Sequence, residues 1–211
     1  VGLVLTYAFL VFAAFIAILP FYHMIIASFM QERDILSGQF WPETGAFFQN
    51  IADNYTETLS RFSYSRYVGN TLVVAVATTA LMMIITIFSA FAFARLKFRG
   101  RDLLFTIFLA TMMIPGEMMV LTNYQTMSNL DLISQKQTRM EAFFVMIVPF
   151  ISSVFYIYLL RQNFKQIPNE LYLSAKVDGK SDWSFLWKVR VPLALPTIIS
   201  ITILKFMGTW N

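Results

Sequence analysis

YVGNTLVVAVATTALMMIITIFSAFAFA, residues 67–94, runs for 28 positions without an Asp, Glu, Lys or Arg. At about 1.5 Å per residue, a helix of that length exceeds the roughly 30 Å hydrocarbon core of a bilayer. Backbone N–H and C=O groups in hydrocarbon must pair internally, and a helix pairs them within one segment. The stretch therefore reads as a membrane-spanning helix. The composition of the whole chain agrees. Of 211 residues, 57% are hydrophobic and 13% charged, against about 45–50% and about 25% in a soluble domain. That balance excludes an ordinary globular domain, a disordered chain and a disulfide scaffold. The chain has no cysteine and one histidine, His23. Disulfides, thiolate metal sites and multi-histidine metal sites are excluded with them.

Four further apolar stretches lie outward of this one. Residues 1–31 carry no charge, and Leu3 to Ser28 reads as a first span with Pro20 and His23 in its outer third. Leu103 to Thr122 reads as a third span, broken at Pro115-Gly116 and charged only at Glu117. Ala142 to Leu160 is uncharged and reads as a fourth. The fifth starts near Ala194 and runs to Asn211, with Lys205 inside it. The expected fold class is all-α, a polytopic transmembrane helix bundle. The chain opens at Val1 directly on one apolar run and closes at Asn211 inside another, so it reads as a fragment of a longer protein.

The polar segments set an orientation. Residues 95–102 and 161–190 hold ten Lys and Arg in 38 positions, whereas residues 29–66 and 123–140 hold five in 56. The positive-inside rule places the first pair in the cytoplasm and the second pair outside. The net charge of +4 is then the charge of basic loops, with no call for nucleic acid. Within the first outer loop, the spacing of Tyr55, Leu59, Phe62 and Tyr67 suggests a short interfacial helix over residues 53–66.

The segment from Arg161 to Pro192 is patterned as two short helices joined by a turn. Pro168 suits a first helical turn, and Glu170 lies near the positive end of that helix dipole. Gly179 ends the helix, being able to take positive φ. Ser181 or Asp182 can cap the next, which carries Trp183 and Trp187 one turn apart, and Pro192 closes the segment. Ser174, Ala175 and Gly179 form a small-residue centre beside an aromatic flank. Such a pair is either a docking element for another protein or an amphipathic segment lying on its own bundle or the membrane surface.

At these residues the chain resembles a known family. Leu173-Ser174-Ala175, three residues, Gly179, nine residues, then Val189-Arg190-Val191-Pro192 is similar to the EAA loop of binding-protein-dependent ABC importers. That loop is written Glu-Ala-Ala, three residues, Gly, nine residues, Ile, one residue, Leu-Pro. Leu173 stands for the Glu and Ser174 for the first Ala. Met113-Ile114-Pro115, Asn123-Tyr124, Leu160-Arg161-Gln162 with Phe164, the basic step Arg95 to Gly100, and Gly208-Thr209-Trp210-Asn211 resemble the carbohydrate-uptake permeases, in their second-permease branch of maltose and multiple-sugar type. The resemblance implies one transmembrane permease domain over residues 1–211, with five of six spans present and the end of the fifth missing. It implies an ATPase-coupling surface at Glu170, Leu173, Ser174, Ala175, Lys176, Asp178, Gly179, Trp183 and Pro192. It further implies a second permease subunit forming a heterodimer, a dimeric cytoplasmic ATPase, an extracytoplasmic solute-binding protein, and surrounding lipid in a bacterial cytoplasmic membrane. No Gly-rich loop followed by Lys-Ser/Thr occurs in the chain. The chain is thus expected to hold no cofactor and to be no enzyme, with ATP and Mg bound by the partner ATPase.

Candidate translocation-path residues are Pro115, Glu117, Asn123, Tyr124, Lys205, Trp210 and Asn211. Counted from the cytoplasmic ends of straight helices, Glu117 is about 21 Å and Lys205 about 17 Å deep. At that depth they face the bundle, as an ion pair or as separate polar groups. Alternatively Glu117 reaches the outer headgroups and Lys205 snorkels. Pro115-Gly116 either breaks a span at a binding site or ends a helix at the interface. Trp210 and Asn211 offer a ring and an amide to a sugar, or pack between helices. The competing function is a secondary transporter or channel subunit, which asks for several intramembrane acids or a repeated half. An integral membrane enzyme asks for a nucleophile–base set or a metal cluster.

Overall fold

The computed structural model describes residues 2–42, 47–134 and 136–210, and every regular element among them is helical. Contacts divide the chain into two compact units, residues 1–67 and 68–211.

In the first unit, α1 (Gly2–Ala27) follows the uncharged run and contains Pro20. Helix α2 (Glu32–Leu36) and helix α3 (Phe47–Arg61) come after it. The chain leaving α1 exposes carbonyls with no helical partner, and two asparagines of α3 supply the donors. Asn54 donates to Ser28 O at 3.0 Å and to Met30 O at 2.9 Å, and Asn50 donates to Phe29 O at 3.1 Å. The outer-loop helix expected over 53–66 thus starts earlier and ends earlier. Its buried side is Asn50, while Tyr55, Leu59 and Phe62 are exposed. Hydrogen-bond demand at the end of α1, rather than the aromatic spacing, chose the face.

In the second unit, α4 (Tyr64–Arg95) is one unbroken helix of 32 residues. Its buried residues fall at Ala75, Thr78/Thr79, Met82/Met83, Thr86/Ile87 and Ala90/Phe91, a stripe at i, i+3, i+4, i+7 spacing. Small and hydroxyl side chains along it let neighbouring backbones approach closely, as membrane helix packing requires.

The third and fourth expected spans are each a bent pair of helices. Helix α5 (Arg101–Thr111) ends before Pro115, and a 3₁₀ turn at Gly116–Met118 leads into α6 (Met119–Asn129) at 79° to it. At 11 residues, α5 extends only about 16 Å. Helix α7 (Arg139–Ile147), a 3₁₀ turn at Val148–Phe150, and α8 (Val154–Gln166) are bent by 51°. Pro149 sits in that turn and Ser152-Ser153 follows it, so the uncharged run is not one straight rod. Helix α9 (Asn169–Val177), α10 (Asp182–Phe185), a π turn at Leu186–Arg190, α11 (Val191–Leu193) and α12 (Leu195–Trp210) complete the unit. Helix α12 lies at 77° to the segment before it. Two helices, α1 and α4, are by themselves long and apolar enough to cross a membrane.

The core of the second unit joins α4 to the whole 160–201 region. Met82, Ile87 and Phe91 of α4 pack with Leu160 and Phe164 of α8, Ala175 of α9, Phe185, Leu186, Ala194 and Ile201.

Candidate functional site: a braced cytoplasmic loop

The sequence of residues 168–192 encodes its own stops and starts, and the structure uses them. Pro168 lies just outside α9 in extended conformation, as its N-cap rather than in its first turn. Glu170 occupies the first turn. At the other end Gly179 takes φ +70°. Lys180 N donates to Ala175 O at 2.9 Å and Gly179 N to Lys176 O at 3.0 Å, the paired bonds of a Schellman stop. Ser181 caps α10, its hydroxyl accepting from Ser184 N at 3.2 Å.

Three side chains clamp the two helices together. The Tyr172 hydroxyl donates to Asp182 Oδ1 at 2.7 Å, and Lys176 Nζ lies 3.0 Å from the same oxygen. Those two donors hold the Asp182 carboxyl below its ordinary value. Asp182 in turn raises the Lys176 ammonium, and burial with the Asp182 bond raises the Tyr172 phenol. The Tyr172 ring meets Phe185 edge-on at 5.1 Å and carries the Arg95 guanidinium at 4.3 Å on the end of α4. Arg95 also donates to Asn169 Oδ1. Trp183 stacks on Phe88 of α4 at 5.6 Å, and Trp187 meets the same ring edge-on at 6.1 Å. The loop is therefore seated on the bundle at several points.

Two buried arginines complete the seating. Arg161 donates from Nε to Phe93 O at 3.2 Å, in the last turn of α4, and lies 3.7 Å from the Phe105 ring centroid. Arg190 donates from Nη1 to Phe164 O at 2.7 Å, in the last turn of α8. Each cation sits at the negative end of a helix dipole and satisfies a carbonyl there. From sequence both counted as basic loop residues inside family-like motifs, with no contact assigned to either. The signal was present for Arg190: Pro168, four residues after Phe164, has no N–H to offer that carbonyl.

Of the nine expected coupling residues, eight present surface to the outside to differing degrees and one does not. Leu173 is 61% exposed, and Glu170, Ser174, Lys176, Asp178, Gly179, Trp183 and Pro192 are exposed. Ala175 is 7% exposed and belongs to the chain's own core. Its small side chain lets α9 approach its own bundle. Helical geometry explains the split, since Leu173 and Ser174 precede Ala175 by two and one positions and point elsewhere.

The described candidate path residues fall on the turn at Pro115, on α6 and on α12. Glu117 is exposed in the 3₁₀ turn after Pro115, and Tyr124 is exposed on α6 with Asn123 half-buried beside it. Lys205 is half-buried with its ammonium 5.9 Å from the Phe150 ring centroid. No ion pair joins Glu117 to Lys205 among the described residues. A straight third span would put Glu117 and Lys205 at similar depth, but the third span bends by 79° at the break. Trp210 stacks on Phe206 at 5.9 Å beside an open cavity of about 700 Å³ that Leu72, Met207 and Gly208 also line. Asn211 lies outside the described residues.

Comparison with known proteins places this helix bundle in a family. The structure superposes on a chain from the crystal structure of a bacterial ABC transporter involved in the import of the acidic polysaccharide alginate. The TM-score is 0.81 at 24% identity, over 99% of this chain and 70% of that one. The diacetylchitobiose uptake system permease protein of Streptomyces coelicolor is 26% identical over 98% of this chain and 66% of its own length. The lactose transport system permease protein of Rhizobium radiobacter is 27% identical over 99% of this chain and 72% of its own. The chain thus spans about two thirds of the length of these curated relatives. Residues 82–211 match the binding-protein-dependent transport system inner membrane component family, and the chain belongs to it. It is a multi-pass membrane protein of a permease family, which is not a family of enzymes.

Proposed function

We propose that the chain is the transmembrane subunit of an ATP-driven importer for a sugar or sugar-derived solute in the cytoplasmic membrane. Each bent helix pair is counted as one span, giving five. In this reading residues 169–190 dock on a cytoplasmic ATPase dimer that binds ATP and Mg. A second permease completes the path, and an extracytoplasmic protein delivers the solute. The observation that carries the reading is the helix pair α9–α10. It presents Glu170, Leu173, Ser174 and Asp178 outward while Ala175 and Phe185 anchor it to α4 and α8. A loop without a partner has no need of so firm a seat beneath an exposed apolar side chain. The basic residues of 95–102 and 161–190 support a cytoplasmic side for it. The named substrates of the relatives above are saccharides, and the Trp210 ring beside its cavity suits stacking on a sugar face. Residues Pro115, Glu117, Asn123, Tyr124, Lys205 and Asn211 are the further path candidates.

The test is a single cysteine at Ser174 in the cysteine-free chain, expressed with its cognate transport ATPase. Crosslinking to the ATPase that changes between ATP-free and ATP-bound states supports the reading. A Ser174 cysteine that a soluble maleimide labels equally with and without the ATPase sinks it.

A further inference from the structure

The connection between α8 and α9 is mechanically weak. It consists of Ile167 and Pro168, both extended. Pro168 interrupts the helical hydrogen-bond ladder, so a displacement of α9 is absorbed by two soft backbone hinges before it reaches α8. The other end of the loop is different. Ala194 N donates to Arg190 O at 3.0 Å and Ile198 N to Ala194 O at 3.0 Å, so two hydrogen bonds step across the 77° bend into α12, although Pro192 and Pro196 donate none.

Arg190 spans the weak side. It is 1% exposed and reaches from the π turn back to the Phe164 carbonyl on α8. Its guanidinium carbon lies 6.0, 5.4 and 5.5 Å from the ring centroids of Phe91, Phe164 and Phe185. It makes no ion pair among the described residues, and its Nε has no partner there. A buried cation held by rings and one carbonyl is costly unless its position matters.

We infer that Arg190 is a positioning residue, a cross-brace that makes α8 move with the cytoplasmic helix pair despite the Ile167-Pro168 hinge. The inference rests on the importer reading above. Motion delivered to α9–α10 then leaves by two routes, through the hydrogen-bonded turn at Ala194 into α12 and through the Arg190–Phe164 bond into α8.

The test uses the assembled transporter in lipid nanodiscs, with spin labels on Lys165→Cys in α8 and Lys188→Cys in the π turn. Both positions are exposed. Magnesium-ATP and vanadate trap the ATP-bound state. With Arg190 present, the 165–188 distance stays the same in nucleotide-free and trapped complexes. With Arg190→Met, which fills the volume and cannot donate, the distance changes on trapping, and stimulation of ATP hydrolysis by the binding protein falls about tenfold, the scale of one charge-assisted hydrogen bond. Arg190→Lys, which keeps one donor, recovers most of both. If Arg190→Met prevents assembly, the Lys variant carries the test and shows a smaller change of the same sign. A distance that stays fixed on trapping in Arg190→Met, with ATP hydrolysis still stimulated, overturns the brace alone. A chain that assembles with no ATPase overturns the importer reading and the brace together.

Discussion

Replacing Ala175 by leucine should unseat α9 from the bundle. The methyl group is 7% exposed and lies in the cluster with Phe164, Phe185 and Leu186, where an isobutyl group has no room. Overpacking of this kind costs about 1–3 kcal/mol. For a chain of this size each kcal/mol moves a thermal midpoint by about 2–4 °C, so the purified subunit should melt roughly 2–12 °C lower. The control is Leu173→Ala, two positions away and 61% exposed, which should stay within about 0.5 kcal/mol of the parent. A second readout separates seating from general destabilisation. A cysteine at Ser174 should react with a soluble maleimide about tenfold faster than one at Ala175, in proportion to exposure. An Ala175→Leu variant that melts with the parent, or an Ala175 cysteine as reactive as one at Ser174, refutes the placement of α9.

Tyr172→Phe removes the 2.7 Å bond to Asp182 and should cost about 0.5–1.5 kcal/mol, read as a lower midpoint and faster hydrogen exchange at α10. Gly179→Ala meets no neighbour within 4 Å, but φ is +70° there. Backbone strain of about 1–2 kcal/mol is the whole expected effect, and Gly179→Asn should cost less. The Asp182 carboxyl is held below its ordinary 3.8, so its contribution is present above that value and is lost as pH falls through the depressed one. The Lys176 ammonium is held above 10.5, so its contribution is present below that value and is lost as pH rises through the raised one. Loop stability should therefore be flat from roughly pH 5 to 9 and fall at both extremes. A midpoint that slopes through neutral pH would contradict the clamp.

The amino-acid order alone settled what depends on neighbours along the chain. An uncharged run is apolar in any fold, so the membrane class and the span of α4 were readable from residues 67–94. Caps and stops are equally local, and Gly179, Ser181 and Glu170 act where their types and spacing put them. Alternation of basic loops needs only counting. The tertiary structure decided what depends on which groups meet. The spans with Pro115 and Pro149 bend by 79° and 51°, because a proline permits a bend without fixing its size, which neighbouring packing sets. Helix α3 buries Asn50 because the end of α1 offers it orphan carbonyls, which no periodicity records. Ala175 faces inward because α9 leans on Phe164 and Phe185. Arg161 and Arg190 look like ordinary loop charges until the carbonyls of Phe93 and Phe164 come within 3.2 and 2.7 Å. Those carbonyls lie 68 and 26 residues away in sequence, and only folding brings a cation and a helix end across such distances to one point.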